Sequence, residues 1–261
     1  MNLEVIHQPA QGQARPTPVL FVHGKWHGAW CWQEYFLPYF ARQGYECAAL
    51  SLRGHGASEG RERIGWHKIA DYVADVEQAA ARFKTPPVII GHSMGGFITQ
   101  KYLEKHNAPA GVLLTALPYY GILPATLSLL RAHPWLVLKC MFTWSLYPIV
   151  GTPALAHQHL FDADMPEDKV NRYFKMLQEE SFRAFLDEAA LDLVRPKRIK
   201  TPMLVIGGSN DTVISMKAVN DTARAYGTKA EFFPMAHDVM LESGWQSAAD
   251  RIIQWLRGKQ L

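Results

Sequence analysis

The stretch Pro87-Val88-Ile89-Ile90-Gly91-His92-Ser93-Met94-Gly95-Gly96 decides how this chain is read. The apolar run predicts a buried strand, the G-x-S-x-G pentapeptide a sharp turn, and the residues on to about His106 a helix. A serine hydroxyl attacks a carbonyl only if it projects from the backbone beside a base, and a strand-to-helix turn provides that exposure. Gly91, Gly95 and Gly96 remove side chains where the turn brings strand and helix together. Ser93 is therefore the candidate nucleophile.

Outward from this point, strand-like and helix-like runs alternate. Val19-Leu20-Phe21-Val22, residues 46–52, Gly111-Val112-Leu113-Leu114, Met203-Leu204-Val205-Ile206 and Glu231-Phe232-Phe233 read as strands. Residues 30–42, the series Ile69, Val73, Val76 and Ala80, residues 216–226 and residues 247–256 read as helices. Near-continuous apolar strands separated by helices predict a mostly parallel sheet covered on both faces, an α/β fold. The alternation breaks between about Tyr119 and Arg198. That segment is rich in Leu, Pro, Trp and Tyr at first and amphipathic over 166–193. It is expected to be a helical cap (119–198) inserted into a core made of 1–118 and 199–261.

The composition suits a soluble globular chain: 261 residues, 48% hydrophobic and 20% charged, with a net charge of +3. No basic stripe interleaved with aromatics is present, which argues against nucleic acid as a partner. Cys31, Cys47 and Cys140 lie far apart and are odd in number, so neither a disulfide framework nor a C-x-x-C motif is expected. The first residues, Met1-Asn2-Leu3-Glu4-Val5-Ile6-His7, do not read as a signal peptide. Residues 108–130 carry no charge, but Pro118, Gly121 and Pro124 interrupt them, so a buried strand running into a helix is expected rather than a stable membrane insertion. A cytoplasmic location is the default expectation, and oligomeric state is not legible.

A serine nucleophile needs a base, and the base needs a third group to hold its tautomer. In a doubly wound sheet these follow downstream, each on a loop at a strand's carboxyl end. Gly207-Gly208-Ser209-Asn210-Asp211-Thr212-Val213 supplies an acid after one strand, and Pro234-Met235-Ala236-His237 a histidine after the next. Singly, Asp211 reads equally well as a helix N-cap and His237 as a surface histidine. Their order and placement favour a Ser93–His237–Asp211 triad. His23-Gly24-Lys25-Trp26-His27-Gly28 follows the strand at 19–22, where an oxyanion donor belongs. The N–H groups of Lys25 and Met94 are the expected pair, with Trp26 as the alternative to Lys25. Metal ligation by His23 and His27 is disfavoured, and His157-Gln158-His159 with Asp162 and Asp164 reads as a solvated loop. No metal or cofactor is expected.

With these pieces in place, the chain resembles the α/β-hydrolase superfamily over nearly its whole length. The matching segments are Val22-His23-Gly24 with Gly28-Ala29-Trp30-Cys31-Trp32, Leu52-Arg53-Gly54-His55-Gly56-Ala57-Ser58, the Ser93 pentapeptide, residues 207–213 and His237-Asp238-Val239-Met240-Leu241-Glu242. The first is similar to the plant methylesterase and hydroxynitrile-lyase branch. Those relatives usually have a small residue where Lys25 stands and Asp where Ser51 stands; Lys25 is expected to point to solvent.

The resemblance implies a cofactor-free serine hydrolase acting on a small molecule. Residues 122–155 carry many Trp, Phe, Met and Leu side chains, some of which should line the pocket beneath the cap and favour a hydrophobic carboxylic ester, as in a carboxylesterase or monoacylglycerol lipase. Trp26, Tyr119, Phe142 and Trp144 are the expected substrate contacts. The alternatives are other triad chemistry (thioester or C–C bond hydrolysis, cyanohydrin cleavage) and, from a different class, a non-catalytic ligand-binding protein.

Overall fold

Seven strands form one sheet in the order β1-β3-β2-β4-β5-β6-β7 in a computed structural model that describes residues 1–261. β2 (Val19–Val22), β3 (Cys47–Leu50), β4 (Val88–His92), β5 (Gly111–Leu114), β6 (Met203–Gly208) and β7 (Ala230–Phe233) run parallel. β1 (Val5–Gln8) pairs antiparallel with β3. β2 to β6 are buried at every position, as strands covered on both faces must be. Alternate residues serve two cores. Val19, Phe21, Ala49, Ile90, Val112 and Ile206 pack with α1 (Trp30–Gln33), α2 (Phe36–Arg42) and α11 (Trp245–Gly258). Leu20, Val22, Leu50, Ile89, Leu113 and Val205 pack with α3 (Ile69–Ala80), α4 (Met94–Leu103) and α10 (Met216–Ala225).

Two expectations about elements are corrected. The single helix foreseen over 30–42 is two, separated at Glu34 and Tyr35, where Tyr35 leaves helical geometry. Pro38 lacks an N–H and its ring would collide with the carbonyl of Glu34, so the second helix has to begin just upstream of it. β1 escaped notice because it is an edge strand, only partly buried, and shows no apolar run.

Between β5 and β6 the chain forms α5 (Leu123–Ala132), α6 (Pro134–Thr143), α7 (Pro153–Leu160), α8 (Glu167–Phe174) and α9 (Phe182–Leu186), then a π-helical turn at Asp187–Leu191. The segment carrying His157 and His159 is thus helix α7 rather than a loop, and His157 Nε2 bonds the carbonyl of Asp162 at 2.9 Å. The amphipathic stretch from 166 breaks after α8 because its polar residues turn inward. Gln178 donates to Gly54 O and accepts from Gly56 N, both at 2.9 Å, while Glu180 receives the Tyr72 hydroxyl at 3.1 Å. Ser181 then caps α9 by accepting from Ala184 N at 3.0 Å. No helix is long and apolar enough to cross a membrane.

Candidate active site

Ser93 sits at φ 52°, ψ −118°, a conformation that L-residues rarely adopt. The surrounding glycines make it attainable. A Cβ on Gly95 would lie 2.3 Å from Val22 O, and one on Gly96 would lie 2.3 Å from Ala116 Cβ. Strand, turn and helix therefore approach as closely as backbone allows, and the hydroxyl is pushed out at the carboxyl end of β4.

The structure brings together the three side chains that the sequence placed on separate loops. His237 Nε2 lies 2.9 Å from Ser93 Oγ, and its Nδ1 lies 2.9 Å from Asp211 Oδ2. The other oxygen of Asp211 accepts from Val213 N at 2.7 Å and Ile214 N at 2.9 Å, so the carboxylate is oriented by its own turn. Ser93 is 5% and His237 2% exposed. Burial pulls the imidazole's proton affinity down, but the charge and hydrogen bond of Asp211, aided by Asp238, outweigh it and hold His237 above its ordinary pKa.

The Lys25 and Met94 N–H groups donate to no backbone acceptor. Gly24 brings the first of them close: a Cβ there would stand 2.9 Å from Ser93 Cβ. Trp26 adopts φ 65° and its carbonyl accepts from Gln178 N at 3.0 Å, which ties this loop to the 119–198 segment.

The Lys25 side chain overturns expectation. It does not reach solvent; it is 7% exposed and its ammonium pairs with Glu188, which is wholly buried on the π-helical turn. Burial, together with nearby Glu180 and Asp187, pushes the Glu188 carboxyl up to about 7 against the pull of Lys25. Glu180 goes the other way: burial opposes its charge, yet His55 and Lys25 hold it down at about 2. None of this was visible in the sequence, because Lys25 and Glu188 are 163 positions apart.

Of the expected substrate contacts, Trp26 is buried and Tyr119 half-buried. Phe142 is corrected: at 87% exposure it faces away from the molecule, as does Trp135 at 81%. Helix α6 buries only Cys140, so its apolar residues cannot all serve the pocket. Trp144 works as an anchor, donating from Nε1 to Gly65 O at 3.0 Å and packing against Phe182 with ring centroids 4.4 Å apart and planes tilted by 37°. Ser51, where relatives carry Asp, donates to Glu4 Oε2 at 2.5 Å and accepts from Ala29 N at 2.8 Å; the carboxylate enters from Glu4 instead.

His23 and His27 are occupied by their surroundings. His23 Nδ1 bonds Gly24 O at 2.8 Å, and its Nε2 accepts from Leu52 N at 3.0 Å. His27 Nδ1 bonds Lys25 O at 2.6 Å. His92, His237 and Asp238 bring donor atoms within 4.8 Å of one another. Both ring nitrogens of His237 are already engaged by Ser93 and Asp211, so the cluster reads as hydrogen bonding rather than metal ligation. Sequence reasoning missed Glu188, His92 and Asp238; the only available signal was that His92 and Asp238 each adjoin a predicted site residue.

Comparison with known proteins agrees with this architecture. Over 136 residues the chain is 28% identical to Methylesterase 10 of Arabidopsis thaliana, covering 48% of each sequence. It is 32% identical over 126 residues to a non-heme chloroperoxidase of Burkholderia pyrrocinia, covering 45% of this chain and 43% of that one. The chain thus spans less than half the length of either curated relative in these matches. Among solved structures, a monoacylglycerol lipase of Paleococcus ferrophilus superposes with a TM-score of 0.74 at 18% identity, covering 99% of this chain and all (100%) of that one. The family described as Hydrolase_4, serine aminopeptidase S33, matches residues 14–243. The chain belongs to that family, within the α/β-hydrolase superfamily.

Proposed function

We propose that this chain is a serine hydrolase cleaving a hydrophobic carboxylic ester through an acyl-enzyme. The observation that carries the reading is the continuous chain Ser93 Oγ, His237 Nε2, His237 Nδ1, Asp211 Oδ2, with 2.9 Å at each link. His237 takes the Ser93 proton as Oγ attacks the ester carbonyl; Asp211 holds the imidazole in the required tautomer and stabilises the imidazolium. The N–H groups of Lys25 and Met94 receive the negative charge on the carbonyl oxygen. The tetrahedral intermediate collapses, His237 protonates the departing alcohol, and the acyl group remains on Ser93. Water, deprotonated by His237, then attacks the acyl carbon and releases the acid.

Buried Met94 follows Ser93, and buried Leu117 donates its N–H to Ser93 O at 3.1 Å, an apolar neighbourhood that supports a hydrophobic acyl or alkyl group. Three free, buried cysteines fit a reducing compartment such as the cytoplasm.

The test is hydrolysis of p-nitrophenyl esters of increasing chain length by the wild type and by Ser93→Ala. The wild type is expected to prefer octanoate to acetate. The variant is expected to lose on the order of 10⁴-fold or more in kcat while keeping its thermal transition. Near-wild-type turnover by Ser93→Ala removes the nucleophile; preference for acetate removes the hydrophobic pocket. Product analysis on thioester and C–C substrates separates ester cleavage from other triad chemistry.

A further inference from the structure

We propose that Asp238 is a positioning residue, whose buried carboxylate ties the oxyanion loop, the nucleophile turn and the histidine loop into one unit. The inference rests on the triad reading above and concerns a group outside the triad.

The geometry is as follows. Asp238 follows His237 directly and is wholly buried. Its Oδ2 lies 2.9 Å from His27 Nε2, and the far nitrogen of that ring bonds the carbonyl of Lys25 at 2.6 Å. Its Oδ1 lies 3.5 Å from His92 Nε2, and the same nitrogen bonds the carbonyl of His237 at 3.1 Å. Thr115 Oγ1 donates to that carbonyl at 2.8 Å, and the Asp238 N–H donates to Leu160 O on α7 at 2.9 Å. The carboxylate thus lies against two imidazoles without an aligned hydrogen bond to either, and each imidazole grips the backbone of a residue at or beside the reacting groups: Lys25, whose N–H is the proposed oxyanion donor, and His237. His92 is also the residue before Ser93.

A buried carboxylate is costly unless its partners hold it. Two segments far apart in the sequence, the loop after β2 and the end of β4, bring His27 and His92 against it. A displacement of about 1 Å in an oxyanion donor is felt at the transition state far more than in the ground state, so such a lock acts mainly on kcat. It also places a second negative charge beside the imidazolium formed when Ser93 loses its proton. Burial opposes ionisation of Asp238, but His27, His92 and His237 outweigh that and hold its carboxyl below the ordinary value. The charged and titratable groups facing His237 are Asp211, Asp238, Lys25, His92 and His159. Among these, Asp211 and Asp238 are the two anions.

The experiment is the pH dependence of kcat and KM on a soluble ester for the wild type, Asp238→Asn, His27→Gln and the double variant. Asp238→Asn keeps the shape and removes the charge. It is expected to lower kcat roughly 10- to 100-fold with KM nearly unchanged, and to move the acid limb of kcat/KM down by roughly half a unit to one unit. His27→Gln is expected to lower kcat in the same way, and the double variant to lose little more than the worse single one, because both break one connection. If Asp238→Asn does not fold, His27→Gln decides by its split between kcat and KM. An acid limb that stays in place, a loss confined to KM or to thermal stability, or independent effects in the double variant overturns the proposal. If Ser93→Ala is dead and Asp238→Asn keeps the wild-type profile, this inference fails while the triad stands; if Ser93→Ala is active, the triad itself fails.

Discussion

Replacing Lys25 by Met removes one half of a buried ion pair, and the structure says how much that matters and at which pH. Lys25 is 7% exposed and Glu188 fully buried; the second carboxylate oxygen of Glu188 has no partner at all. Breaking such a pair from one side costs about 3–5 kcal/mol, since the remaining charge keeps its desolvation penalty. Glu188 has an escape, because its carboxyl already sits up at about 7 against an ordinary 4.5. A carboxyl with a raised folded pKa adds stability at low pH and loses it as pH rises towards the folded value. Without the ammonium that value climbs further. Lys25→Met is therefore expected to cost about 1 kcal/mol at pH 5, where Glu188 is neutral, and about 2–2.5 kcal/mol at pH 8, where protonating a carboxyl of pKa about 7 adds about 1.4 kcal/mol. Lys25→Met/Glu188→Gln is expected to lie within about 1 kcal/mol of the wild type at both. Urea unfolding at the two pH values measures this. Equal losses at pH 5 and pH 8, or a double variant no more stable than the single at pH 8, refute the coupling between the loop after β2 and the π-helical turn.

Three further outcomes follow from other parts of the molecule. Gly96→Ala places a methyl 2.3 Å from Ala116 Cβ and forces α4 away from the loop after β5; a loss of roughly 1–3 kcal/mol in thermal denaturation is expected, with kcat reduced because Ser93 leads that helix. Glu242, 2% exposed, has its carboxyl pushed up to about 8, first by burial and then by Asp238, Asp162 and Asp164, so it stabilises the fold below about 4.5 and loses that contribution as pH rises to about 8. Glu242→Gln should flatten the fall in Tm between about pH 4.5 and 8, and an unchanged slope would count against the assignment. Ester hydrolysis should rise with pH through a value above 6.5, since His237 must be neutral to act as base and its proton is held by Asp211; a limb at or below 6.5 contradicts that arrangement.

How much of the site was legible depended on how local its causes were. Gly91, Gly95 and Gly96 announce close backbone approach because no other residue fits, and Ser93 between them follows. Asp211 and His237 were readable as strand-end residues, since Met203–Ile206 is an apolar run and Glu231-Phe232-Phe233 a short aromatic-rich one, each followed by a turn. Lys25 was misread. A lysine in a loop is normally solvated, and only the arrival of Glu188 from the segment between β5 and β6 makes burial tolerable. Phe142 was misread in the opposite sense, because an apolar helix predicts burial somewhere without saying on which side.

Taken alone, then, the amino-acid order determined the parallel sheet, its flanking helices and the strand-end placement of Ser93, Asp211 and His237, because period, apolar run and glycine placement act within a few residues. The tertiary structure decided the edge strand β1, the break between α1 and α2 and the outward face of α6. It also decided the contacts that join Lys25 to Glu188 and Asp238 to His27 and His92. Those depend on which surfaces meet after the chain has closed on itself, and a buried charge acquires its partner only at that stage.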